Sequence, residues 1–324
     1  MILDYDDIVL IPRVISSIES RDKSEIDIGV TLSDNIRLKV PIMASPMKDV
    51  CDGAVANKIW RLGCFGIIHR FMSTEDQIVE FKKIEPGHYC ACALGINGDF
   101  YERFQGLYKA GCRSFCLDVA NGASIYVKRA VEKISQEHSD IVIIVGNVAS
   151  KECYKWLDEI KAITAIRVGI AGGKACTTKN ATGVACGMIS AIIECATVRE
   201  NTLLIADGGI REPQDVCKAI ACGADLVMMG SVIAVSEDSP AETTKVNGQM
   251  VKMYHGSASF SIQKHYKEKP KYIEGRTVGL EYTGENLEEI VTRFSDGLIS
   301  SMSYFDARTI KEYQNNITYE IISR

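Results

Sequence analysis

A (β/α)8 TIM barrel, a mixed α/β fold, is what this sequence predicts, with a flap inserted after the eighth strand. Eight short runs are almost continuously apolar, as parallel strands buried on both faces must be. The segments between them are helix-compatible and long enough to serve as crossovers. Polar and glycine residues gather directly after the runs, which in a barrel brings them together on one face. The 324 residues fit one such domain, spanning 1–324. An open doubly wound sheet is the alternative, but it rarely needs eight uninterrupted repeats.

The runs, in order, are 40–44 (VPIMA), 65–69 (FGIIH), 90–94 (CACAL), 114–119 (SFCLDV), 141–145 (IVIIV), 165–170 (AIRVGI), 203–206 (LLIA) and 226–229 (LVMM). Segments 124–137, 188–196 and 212–221 are examples of the expected crossover helices. After the eighth run the pattern changes. Residues 236–283 are polar, rich in Lys, Tyr and Gly, and only weakly periodic. An insertion this long is usually functional or mobile, and it reads as a mobile flap over the barrel mouth. A helix from 286 onward closes the barrel, and 318–322 (TYEII) is a short terminal strand.

Composition excludes several classes. With 46% hydrophobic residues the chain can bury a large core. A net charge of −5, with 24% charged residues, provides no polybasic surface for nucleic acid or membrane. No apolar run reaches the roughly 18 residues that a transmembrane helix needs. The start, MILDYDDIVLIPR, has no basic n-region, so a cytoplasmic protein is expected. The twelve cysteines are irregularly spaced and include no CxxC pair, which points to small apolar core residues rather than disulfides or zinc.

The residues after the runs carry the candidate chemistry. They are Ser45-Pro46-Met47, His69-Arg70, Gly95, Asp118 with Asn121-Gly122, Gly146-Asn147, the loop around Cys176, Asp207-Gly208-Gly209 and Gly230-Ser231. The last two groups occupy the usual phosphate site of a barrel. Backbone amides of Gly208, Gly209, Gly230 and Ser231 can cradle a phosphate, and the Ser231 hydroxyl adds a donor. Asp207 cannot favour phosphate but can accept from the two hydroxyls of a ribose, so the group reads as a ribonucleoside monophosphate site. No GxGxxG follows the first run and no Walker loop occurs. The loop from 168 to 184, VGIAGGKACTTKNATGV, presents Cys176 among glycines and threonines. A cysteine on such a loop is a candidate nucleophile; the plain alternative is a surface turn with an inert thiol.

These residues closely resemble the GMP reductase and IMP dehydrogenase family over nearly the whole length. The matching stretches are DYDDIVLIP, ASPM, GIIHR, LDVANG, VGN, the Gly-rich CTT loop, IADGGIR and MGS, in this order. The resemblance implies a TIM barrel without a regulatory CBS domain, because Arg70 runs straight into 71–83 where dehydrogenases usually carry that insertion. It implies that Cys176 attacks purine C2 to give a thioimidate, with Thr178 assisting. It places Ser45, Met47, Asp207, Gly208, Gly209, Gly230, Ser231, Tyr254, Gly256 and Glu274 on the nucleotide, Glu274 reading the purine N1 edge. Asp118, Asn121 and Gly122 fall where the family holds the nicotinamide end of the cofactor. Backbone carbonyls of Gly169, Gly173 and Cys176 resemble a monovalent-cation site for potassium, with Ala171 replacing a family glycine. A homotetramer is implied as well.

Two reactions remain open within the resemblance. LDVANG, Thr178 and the Thr182-Gly183-Val184 continuation are reductase-like, implying NADPH-dependent conversion of GMP to IMP and ammonia. Phe260, however, stands where reductases place a glutamate, and His265-Tyr266 lies where dehydrogenases carry a water-activating pair, which implies IMP oxidation with NAD instead. His265 is accordingly a candidate catalytic base. A catalytically silent purine-nucleotide-binding protein is the reading from another class.

Overall fold

The computed structural model describes residues 2–21, 25–264 and 269–322. Eight parallel strands close into a barrel: β1 (Ile42–Ala44), β2 (Phe65–Ile68), β3 (Cys90–Leu94), β4 (Ser114–Asp118), β5 (Val142–Val148), β6 (Ala165–Val168), β7 (Leu203–Asp207) and β8 (Leu226–Met229). Closure comes from β8 pairing with β1, with Val227 opposite Ile42. All eight predicted runs form these strands, with shifted ends. The first run becomes strand only at Ile42, and the fifth continues to Val148. The sixth stops at Val168 because Gly169 turns away at φ +139, where a Cβ would lie 2.2 Å from the Asp207 carbonyl oxygen.

The crossover helices bury an apolar stripe on the outside of the barrel. Side-chain caps set where several begin: Asp52 accepts from Val55 N before Gly53–Arg61, Ser73 from Asp76 N before Thr74–Phe81, and Ser150 from Cys153 N before Lys151–Asp158. The barrel interior is a second apolar cluster. Met43, Phe65, Ile67, Ala91, Ala93, Cys116, Ile144, Ala165, Ile205 and Met228 fill it, and Val30, Leu32, Ile36 and Leu38 join them. The last four belong to a hairpin, Val30–Ser33 with Ile36–Leu38, that packs against the barrel interior. All twelve cysteines are free, and nine of them are buried.

Among its described residues, the segment after β8 contains more regular structure than its weak periodicity suggests. Strands Thr243–Val246, Gln249–His255 and Thr277–Glu281 form an antiparallel sheet with Gln249–His255 in the centre. The first two strands are joined by Asn247-Gly248, both at positive φ (51 and 85), as a two-residue hairpin turn requires. The expected terminal strand is present: Tyr319–Ile321 pairs antiparallel with Ile8–Leu10. Among the described residues, no helix is long and apolar enough to cross a membrane.

Candidate active site

The Cys176 loop leaves β6 and is stitched to two neighbours. Toward β7, a Cβ on Gly208 would lie 3.3 Å from the Gly172 carbonyl carbon, so the loop and the Asp207-Gly208-Gly209 turn approach backbone to backbone. Toward the flap, Cys176 bridges Gly275, Thr177 N donates to the Glu274 carbonyl (2.9 Å) and Arg276 N to the Ala175 carbonyl (2.9 Å). A Cβ on Gly256 would lie 2.7 Å from the Ala175 carbonyl oxygen, so only glycine permits this approach. Cys176 is half-buried, and its thiol donates to Thr178 Oγ1 at 3.2 Å. Thr178 opens the short helix Thr178–Thr182, which ends on Gly183 at φ +77.

Beside this loop, Ser45, Met47, Gly230 and Tyr254 converge. The Tyr254 hydroxyl donates to Met47 Sδ (3.1 Å) and lies 2.6 Å from where a Cβ on Gly230 would sit, with Ser45 Oγ 3.5 Å from the same point. Burial pushes the Tyr254 phenol well up, and Asp207, Asp49 and Cys176 add to the effect, so it stays protonated as a donor. Asp207 and Gly208-Gly209 follow β7, and Ser231 opens the short helix Ser231–Ala234 after β8. The flap is fixed here by Asp49, a buried carboxylate that accepts from His255 N (2.7 Å) and contacts His255 Nδ1 (2.9 Å). Glu274 is half-buried beside Gly275, and its amide donates to the Ala258 carbonyl.

On the other side, Asp118 ends β4. Arg167 Nη1 donates to its Oδ1 (2.8 Å) and Arg70 Nη2 to its backbone carbonyl (3.1 Å). Burial alone would raise the Asp118 carboxyl; the Arg167 and Arg70 guanidiniums outweigh it and hold it below the usual range. Asn121 Oδ1 accepts from Ala123 N, and Gly122 N donates to the Asn147 carbonyl (2.7 Å), which ties the loop after β4 to β5. His69, after β2, accepts from Phe71 N through Nδ1, and burial lowers its pKa to about 4.

The structure thus draws Ser45, Met47, Gly230, Tyr254, Gly256, Glu274 and Cys176 to one side of the barrel mouth and Asp118, Asn121 and Gly122 to the other. Phe260 begins the helix Phe260–Lys264 and is 55% exposed. His265, with Tyr266, lies outside the described residues. The Gly169 carbonyl accepts from Asn147 Nδ2 (2.8 Å) and the Gly173 carbonyl from Cys176 N (3.0 Å), so each would offer a cation only its second lone pair. Ala171 adopts φ +66, a conformation that costs an alanine about 1 kcal/mol. Among the described residues, no group of three His, Cys, Asp or Glu side chains could hold a metal ion.

Sequence reasoning missed Arg167. It sits inside an apolar run, yet strand alternation finds it. Ala165 faces the barrel interior, so Arg167, two residues on, does too. Its guanidinium is buried between Asp118 and Asp207.

A family model described as "IMP dehydrogenase / GMP reductase domain" matches residues 2–324. The chain is 33% identical over 310 residues to a GMP reductase of Chromobacterium violaceum, covering 95% of this chain and 94% of that protein. It is 34% identical over 315 residues to a GMP reductase of Albidiferax ferrireducens, covering 96% and 93%. It is also 31% identical over 385 residues to an inosine-5'-monophosphate dehydrogenase of Borreliella burgdorferi, covering 99% and 94%. With a closed parallel barrel, a half-buried cysteine on its mouth and a family match over almost every residue, the chain belongs to the IMP dehydrogenase / GMP reductase family.

Proposed function

We propose that the protein is a GMP reductase that converts GMP to IMP and ammonia with NADPH. The observation that carries this reading is the Cys176–Thr178 contact at 3.2 Å, on a loop whose backbone is tied to both the Asp207 turn and the flap. A nucleotide held by its phosphate at Gly208, Gly209, Gly230 and Ser231, and by its ribose at Asp207, is delivered to that thiol by the same body that holds it. Ser45, Met47, Tyr254 and Gly256 complete the nucleotide side, and Glu274 faces the purine edge. The Cys176 sulfur attacks C2 of the purine, Thr178 relays a proton to the departing amine, and cleavage of the C2–N bond leaves a thioimidate. NADPH, when bound, supplies the hydride that adds to C2 as the C–S bond breaks, returning the thiolate. The residues beside Asp118 fit a nicotinamide carboxamide: Arg167 Nη1 and, at 3.4 Å, Arg70 Nε donate to its carboxylate, and Asn121 and Gly122 bring further polar groups.

The second reading is oxidation of IMP with NAD, favoured by the aromatic Phe260 where a reductase would carry a proton-transferring carboxylate. Absorbance at 340 nm separates the two. Loss of NADPH with GMP is expected, and NADH formation from IMP and NAD without any reaction on GMP would overturn the first reading. Cys176→Ala should abolish turnover while GMP binding, followed by calorimetry, stays within about tenfold. Residual turnover in that variant would rule out the covalent route.

A further inference from the structure

The top layer of the barrel interior is charged. Reading inward-facing positions two residues beyond Cys116, Ile144, Ala165 and Ile205 gives Asp118, Gly146, Arg167 and Asp207 on four consecutive strands. Gly146 is the residue that makes room: it pairs with Arg167, and a Cβ there would lie 2.4 Å from Arg167 Cβ. Arg167 is 6% exposed. Its Nη1 donates to Asp118 Oδ1 at 2.8 Å, its Nε donates to Asp207 Oδ2 at 2.9 Å, and its Nη2 lies 2.8 Å from that same oxygen. Asn147 Nδ2 also donates to Asp207 Oδ2 at 2.8 Å. All of these bonds to Asp207 fall on Oδ2, which fixes the plane of the carboxylate and directs Oδ1 elsewhere.

One buried guanidinium therefore sets the rotamers of two carboxylates that serve different ligands in the reading above. Burying a charge trio is costly and contributes little net stability, so rigidity at both carboxylates is its evident consequence. A ligand that engages Asp207 shifts charge on the guanidinium that also holds Asp118. We propose that Arg167 is a positioning residue that couples the nucleotide half-site at Asp207 to the dinucleotide half-site at Asp118, so that each ligand tightens the other. This rests on the functional reading above. Lysine cannot reproduce it, because a single ammonium lacks the planar fork that meets two carboxylates at once.

The test is the pairwise affinity of IMP and NADPH, a combination that neither reaction turns over. Calorimetry on the intact protein would give the IMP dissociation constant with and without saturating NADPH. The expectation is a tightening of about fivefold or more in the native protein, falling to near unity in Arg167→Lys, with each ligand alone still bound. Asn147→Ala, which removes the donor to Asp207 Oδ2 and to the Gly169 carbonyl at the root of the Cys176 loop but no side-chain bond to Asp118, should weaken IMP and reduce the coupling while leaving NADPH alone unaffected; it decides the matter if Arg167→Lys does not fold by circular dichroism. No coupling in the native protein, or undiminished coupling in the variants, would overturn the proposal while leaving the functional reading intact. Native protein that binds neither ligand would overturn both.

Discussion

At the residue scale, the oddest position near the nucleophile is Phe260. It opens a short flap helix one residue after Ser259, which bridges the same Gly275 that meets Cys176. An aromatic ring cannot pass a proton to a leaving amine, and general-acid help is worth about 10²–10⁴-fold. Because the side chain is largely exposed, Phe260→Glu can be made without opening a cavity. GMP turnover should rise by on the order of tenfold or more, with the gain confined to ammonia release in single-turnover measurements. An unchanged ammonia-release rate would mean that Thr178 already meets the demand. Arg167 shows what a residue-by-residue reading overlooks. One charge inside an apolar run looks like noise until the two-residue alternation of the strand is applied, and its partners come from strands 49 and 40 residues away.

At the scale of elements, the barrel strands were legible and the strands inside the flap were not. Strands buried on both faces must be apolar throughout, so eight runs stand out from their connectors. The flap strands are only partly buried, and Thr243–Val246, largely exposed, carries little apolar signal. The Asn-Gly pair at 247–248 was the available clue, a strong hairpin signature set between unremarkable flanks. What anchors this sheet to the barrel mouth is equally hard to read in advance, since Asp49 and His255 are 206 residues apart. Asp49→Ala removes the acceptor for both the amide and the ring of His255. Leaving a buried amide unsatisfied costs about 1–3 kcal/mol, so local opening should increase. The expected results are faster proteolysis within 243–281 and a raised KM for the nucleotide, with little change in the melting temperature of the barrel. A flap as protected as in the native protein would show that the glycine contacts at 256 and 275 suffice without the pair.

At the scale of the whole molecule, His69 gives the fold a defined response to acid. Burial holds its pKa at about 4, against about 6.5 in an unfolded chain. Between those values the unfolded state takes up a proton that the native state refuses, so stability falls as pH drops from 6.5 toward 4 and this contribution is then exhausted. The full effect is about 3 kcal/mol. His69→Asn, which keeps an acceptor for Phe71 N, should flatten that limb in urea titrations at pH 7 and pH 4.5. An equal loss of stability in the native and variant proteins would assign the acid sensitivity to other groups.

The pairing of Ile8–Leu10 with Tyr319–Ile321 bears on how the chain is made. Ile8 meets Ile321, so this strand waits for a partner made about 310 residues later. At synthesis rates of about 5–20 residues per second the wait is roughly 15–60 s. The barrel itself cannot close before Met229, because β8 must reach β1. Until then, any barrel strands that have already paired have two unpaired edges, the feature of a sheet most exposed to mispairing. Open strand edges before closure, rather than fragility once finished, are the liability that this architecture carries.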